Sequence, residues 1–99
     1  MLLESHYQNQ LIQKIKKRFP GCFVLKNDPT YIQGFPDLLI LFEDRWATLE
    51  TKRSKDARKG RNQEYYVDEC NKMSYSSFVY PENEEEVMRE LQQALQPDW

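Results

Sequence analysis

Apolar residues recur every fourth position at the start of the chain, at Leu3, Tyr7, Leu11, Ile15 and Phe19, with Ile12 widening the stripe. That spacing gathers them on one face of an α-helix, which Pro20-Gly21 ends. Cys22-Phe23-Val24-Leu25 reads as a short strand, Asn27-Asp28-Pro29 as a turn, and Pro29 to Gly34 as loop. From Asp37 to Phe42 the pattern becomes an unbroken apolar run, as expected of a strand buried on both faces. Glu43-Asp44 interrupts it, and Arg45 to Lys52 follows at hairpin distance. Ser54 to Asn62 is polar and basic. Tyr65, Tyr66, Cys70 and Met73 predict a second helix, and Ser77 to Tyr80 a brief strand closed by Pro81. Asn83 is placed to cap a last helix carrying Val87, Met88, Leu91, Ala94 and Leu95. The order helix, three strands, helix, strand, helix predicts an α/β fold, a mixed β-sheet flanked by helices.

Ninety-nine residues suit a single domain over 1–99, with a modest core that a partner subunit could extend. Hydrophobic content of 39% and charged content of 30% fit a soluble globular chain. No apolar run approaches the roughly 20 residues of a membrane span. The start, Met1-Leu2-Leu3-Glu4-Ser5-His6, does not read as a signal peptide. Cys22 and Cys70 are too far apart in sequence for a metal-binding pair and read as small buried thiols, which suits a reducing cytoplasm. The formal net charge of −2 argues weakly against a nucleic-acid partner, but its distribution changes the picture. Lys52, Arg53, Lys55, Arg58, Lys59 and Arg61 fall within ten residues, opposed only by Asp56. Lys14, Lys16, Lys17 and Arg18 form a second basic group, while acids collect at Glu82, Glu84, Glu85, Glu86 and Glu90. Either basic run alone reads as a solvated face. The first gains weight because it begins beside a candidate site, and the split allows one phosphate-attracting face.

That site lies in Gly34-Phe35-Pro36-Asp37 and Leu49-Glu50-Thr51-Lys52. Strand side chains alternate, so Glu50 and Lys52 share a face roughly 7 Å apart and Thr51 points to the other. Pro36 donates no ladder bond and suits the first strand position. The hairpin brings Asp37 beside the end of the next strand. Two carboxylates, with a third oxygen from the Thr51 carbonyl, suit Mg²⁺, a hard cation that keeps several waters. Such an ion polarises a phosphoryl oxygen and lowers the pKa of a bound water. Lys52 can stabilise the charge that develops. Pro-Asp or Glu-x-Lys alone reads equally well as ordinary strand edge. Together, in apolar surroundings where carboxylates rarely sit unpartnered, they point to a site.

These residues resemble the PD-(D/E)XK nuclease superfamily, and most of the chain is similar to its small virus-type replication-repair nuclease (VRR-NUC) domains. The resemblance implies an αβββαβ(α) restriction-endonuclease-like core and Mg²⁺- or Mn²⁺-dependent hydrolysis of phosphodiester bonds. It implies Asp37 and Glu50 as metal ligands, Lys52 as the catalytic lysine, Glu4 as a helix-borne ligand and Gln63 as a site glutamine opening the next helix. It further implies branched DNA, such as a four-way junction or a flap, as substrate, a homodimer as the working form, and a phage or bacterial origin. Two departures stand: Val67 occupies the place of a tyrosine four residues beyond Gln63, and Met73-Ser74-Tyr75-Ser76 lacks a glycine common before the last strand.

Outside the resemblance, Glu4 reads equally as a solvated helix residue. The lone His6 excludes a multi-histidine metal site. Lys26, Arg53, Lys55, Arg58, Lys59 and Arg61 are candidate phosphate contacts. Tyr31, Tyr65 and Tyr66 could stack on unpaired bases, with one of the adjacent pair expected in the core. Trp46 shares the Glu50 face but lies two pleats away, which suits packing. The expected activity is a metal-dependent deoxyribonuclease. The alternatives are a non-catalytic nucleic-acid-binding module that keeps the nuclease fold, and a small adaptor whose acidic last helix meets a partner protein.

Overall fold

The leading stripe folds as α1 (Glu4–Arg18), which buries Tyr7, Leu11, Ile12 and Ile15 and is followed by the buried Phe19. A computed structural model describes residues 3–98, so Met1 and Leu2 of the start considered for a leader lie outside the described residues. β1 (Phe23–Lys26), β2 (Leu38–Phe42) and β3 (Arg45–Thr51) follow, then α2 (Gln63–Met73), β4 (Tyr75–Val79), a 3₁₀ turn (Pro81–Asn83) and α3 (Glu84–Leu95). The architecture is α/β, in the order αβββαβα. The sheet runs β1-β2-β3-β4, antiparallel except for the parallel β3–β4 pair that α2 connects. Phe42 pairs with Arg45, leaving a two-residue turn in which Glu43 adopts a positive φ of 56°. Among the described residues no helix is long and apolar enough to cross a membrane.

The core occupies one face of the sheet. Leu38, Ile40 and Phe42 of β2, Ala47 and Leu49 of β3, and Val79 of β4 meet the apolar sides of α1 and α3 there. α2 covers the other face, but only over β3 and β4. Beneath it, Thr48 Oγ1 donates to Ser76 Oγ at 2.8 Å, satisfying two small buried polar groups. β1 and β2 have no helix above them on that face, so Phe23, Leu25 and Leu41 are exposed. This corrects the expectation that β2 is buried on both faces: its apolar run meets helices on one side only.

Four other expectations shift. α2 buries Val67 and Cys70, while Tyr65 and Met73 are exposed, so the helix is turned away from the phase its aromatics suggest. β4 begins at Tyr75, because pairing with Ala47 extends it toward α2. Asn83 stands at the start of α3, but its side chain turns back. Its Oδ1 accepts from the Tyr80 N–H at 2.9 Å and its Nδ2 donates to the Phe78 carbonyl at 3.1 Å, securing the 3₁₀ turn. Cys70 is a buried free thiol, whereas Cys22 is only half-buried against the core, and burial pushes its thiol pKa up. His6 is exposed on α1.

Candidate active site

The hairpin register places Leu38 opposite Leu49, so Asp37 comes off the start of β2 beside Glu50 and Thr51 at the end of β3. Two contacts fix the Pro36–Asp37 dipeptide from the β1 side. The Asn27 N–H donates to the Asp37 carbonyl at 2.8 Å, and Asn27 Nδ2 donates to the Pro36 carbonyl at 2.7 Å. The Asp37 side chain is then held by Thr51, whose N–H and Oγ1 donate to Asp37 Oδ2 at 3.0 and 2.8 Å. As alternation requires, the Thr51 side chain faces α1, where its Oγ1 accepts from Gln8 Nε2 at 2.9 Å. Asp37 lies beyond the regular strand and meets Thr51 from the end of the sheet.

Glu50 is 1% exposed. Gln63, the first residue of α2, donates from Nε2 to Glu50 Oε2 at 3.1 Å. The Gly60 N–H donates to Gln63 Oε1 at 2.7 Å and fixes which way that amide points. Glu50 Oε1 is buried and has no hydrogen-bond partner. Burial first, then the charge and close approach of the Asp37 carboxyl, push the Glu50 pKa up to about 9, against an opposing pull from Lys52. Lys52 is 8% exposed, and its Nζ donates to the Arg58 carbonyl at 3.2 Å. Its ammonium therefore keeps two N–H donors for other acceptors.

Glu4 stands exposed in the first turn of α1, near enough for its charge to add slightly to the upward push on Glu50. Among the described residues no group of three or more His, Cys, Asp or Glu side chains gathers to hold a metal. Asp37 and Glu50 nevertheless suit one hard divalent cation: two adjacent carboxylates, one with an orphaned buried oxygen, match the oxygen preference of Mg²⁺. The remaining positions of its shell would fall to water and substrate oxygens. Thr51 serves the site through its N–H and hydroxyl, a role that its expected carbonyl contribution did not include.

Gly34 joins the two halves of the site. Its φ is +90°, and a Cβ there would stand 2.5 Å from the Arg61 carbonyl oxygen and 2.8 Å from Asn62 Cβ. The loop before Asp37 thus packs directly on the backbone that leads into Gln63. Asn62 at the head of α2 takes φ 67°, a conformation asparagine tolerates better than most residues.

Of the candidate phosphate contacts, Arg53, Arg58 and Arg61 are exposed and make no ion pair among the described residues. Lys55 is exposed, and its backbone N–H donates to Glu82 at 3.3 Å. Lys59 lies 3.3 Å from Glu64 and 4.4 Å above the Phe78 ring, so it is partly engaged. Lys26 pairs in register with Leu38, next to Asp37, and its Nζ donates to Asn9 at 3.0 Å. Of the second basic group, Lys14, Lys17 and Arg18 sit on the α1–α3 side, with Lys14 bridged to Glu84 at 2.8 Å. Tyr66 packs on Phe35, while Trp46 is half-buried. Gln8, Asn27, the Arg58 carbonyl and Gly60 were missed from sequence. Only Gln8 left a signal there, one helical turn after Glu4.

Comparisons of the chain with protein-family models, with curated proteins and with solved structures find no match.

Proposed function

We propose that the protein is a metal-dependent deoxyribonuclease that hydrolyses phosphodiester bonds in branched or flapped DNA, in the manner of the PD-(D/E)XK and VRR-NUC nucleases it resembles. One observation carries the reading: a buried glutamate with an orphaned oxygen lies against a second carboxylate, with a lysine beside them. Burying such a pair costs stability unless something positive completes it. Asp37 and Glu50 would hold Mg²⁺, for which Mn²⁺ can substitute, and the ion would supply a polarised phosphoryl oxygen and an acidified water. Thr51 and Gln8 keep the Asp37 carboxylate aimed, and Gln63 does the same for Glu50. Lys52 directs its spare N–H donors to the phosphoryl oxygens as negative charge grows. The exposed arginines of the 53–61 segment draw in the backbone of the substrate.

All these groups come from one chain, so the proposed homodimer enlarges the footprint rather than completing the site. A second copy would find apolar surface at Phe23, Leu25 and Leu41. The reading keeps a cytoplasmic location and the phage or bacterial origin that the resemblance implies.

The rival reading, a binding module that does not cut, is favoured by the lack of a third clustered carboxylate among the described residues. Incubation of junction, flap and linear DNA with Mg²⁺ or Mn²⁺ separates the two. Asp37→Ala and Lys52→Ala are expected to lower cleavage on the order of 10²-fold or more. Full activity in both variants overturns the nuclease assignment. DNA binding that persists in EDTA with no cleavage in any metal favours the rival.

A further inference from the structure

A series of aromatic rings runs beside the paired carboxylates. Phe35, two residues before Asp37, packs on Tyr66 with ring centroids 5.6 Å apart, and Tyr66 meets Tyr65 edge-on at 5.0 Å. Tyr65 itself is 59% exposed. On its other side Phe35 lines a cleft with Tyr31, Ile32, Asn27 and Asp28, and Tyr31 is 85% exposed. Two inner rings therefore bed down in the protein while an outer ring at each end faces solvent. Gly34 makes this base firm, because its backbone packs on Arg61 and Asn62 just before α2.

Charge complements the rings. Arg53, Arg58 and Arg61 are exposed and make no ion pair among the described residues, and the Arg61 backbone carbonyl packs on Gly34, the residue before Phe35. Exposed aromatic rings and unpaired arginines are the two components by which proteins bind single-stranded nucleic acid: every base offers a face for stacking, and each phosphate offers a charge. A paired duplex keeps its base faces stacked inside, so it gains only the charge component.

We propose that Tyr65 and Tyr31 are stacking platforms for unpaired bases flanking the phosphate held at Asp37 and Glu50. The preferred substrate is then the single-stranded arm where a flap or fork leaves the duplex. This rests on the nuclease reading for which phosphate is cut, but the stacking is measurable without cutting.

The probes are a fluorescein-labelled flap DNA, the same flap with abasic sites throughout its unpaired arm, and a fully paired duplex. Anisotropy in EDTA reads affinity. The wild-type chain is expected to prefer the intact flap to the abasic one. Tyr65→Ala is expected to weaken flap binding roughly 5- to 150-fold and to narrow the difference between intact and abasic arms, and Tyr65→Ala combined with Tyr31→Ala to erase it. Tyr65→Trp is expected to keep that difference. Tyr31→Ala, at the more exposed ring, is expected to narrow that difference as well, with little bearing on folding. Equal wild-type affinity for intact and abasic arms overturns the proposal, as does a loss in Tyr65→Ala that is the same on all three probes. Cleavage with Mg²⁺ separates the two readings. Cutting that ignores the bases of the arm leaves the nuclease and removes the platforms. Base-dependent binding with no cutting leaves the platforms and removes the nuclease.

Discussion

Glu50 ties the pH dependence of stability to the site. Its folded pKa is pushed up to about 9 by burial and by Asp37, against an ordinary 4.5. Between those values the folded chain holds a proton that the unfolded chain releases. Stability from this group is therefore greatest below about 4.5 and falls as pH rises toward about 9. Glu50→Gln removes the titration, and its amide can donate toward Asp37 while still accepting from Gln63. In EDTA at pH 8 the variant is expected to be more stable than wild type by at least about 1 kcal/mol, a rise in Tm of roughly 4–8 °C, with the gap closing near pH 5. Mg²⁺ or Mn²⁺ is expected to raise the Tm of wild type and not of Glu50→Gln. Thermal melts across pH, with and without metal, check both, and a variant less stable at pH 8 removes the account of Glu50 as an unfavourably buried acid.

Between elements, the decisive contact is the one Gly34 makes between the loop before β2 and the backbone entering α2. Gly21 provides an internal comparison. It has φ +92° and nothing within 4 Å of where a Cβ would stand, whereas Gly34, at φ +90°, has the Arg61 oxygen at 2.5 Å. Gly21→Ala thus reports backbone strain alone, about 1–2 kcal/mol, and Gly34→Ala adds displacement of the Arg61–Asn62 segment. Urea unfolding is expected to show a clearly larger loss for Gly34→Ala, together with weakened metal binding because Gln63 shifts on Glu50. Equal losses would mean that the two segments part without consequence. The pattern of the chain makes α1, the β2–β3 hairpin and the Asp37, Glu50 and Lys52 trio legible, because helix stripes, strand alternation and a short turn are local signals. The phase of α2 is not legible: Tyr65 and Tyr66 outweigh Val67 and Cys70 in any hydrophobic count, yet Tyr65 faces solvent. Nor are Thr51 Oγ1 on Asp37 or the Arg58 carbonyl on Lys52, which arise from tertiary approach and leave no periodic trace.

Across the whole molecule, a formal charge of −2 conceals two unlike surfaces. The 53–61 segment presents three arginines without ion pairs among the described residues, while α3 opens with Glu84, Glu85 and Glu86. Lys14, Lys17 and Arg18 of α1 lie on the α3 side, where Glu84 already engages Lys14 and Gln92 accepts from Arg18. Phosphate contacts release counterions, so each one adds about 0.7 to the slope of log affinity against log salt for a single strand. If DNA crosses the carboxylates, Arg53, Arg58 and Arg61 lie under its backbone and Lys17 and Arg18 do not. Replacing these three arginines by glutamine is then expected to flatten the slope by about 2, whereas Lys17→Gln with Arg18→Gln is expected to leave it nearly as it was. Affinities from roughly 50 to 200 mM salt span the range in which that difference is large. A slope that responds to Lys17 and Arg18 and not to Arg53, Arg58 and Arg61 would put the nucleic acid on the helical face, away from Asp37 and Glu50, and would take the nuclease reading down with it.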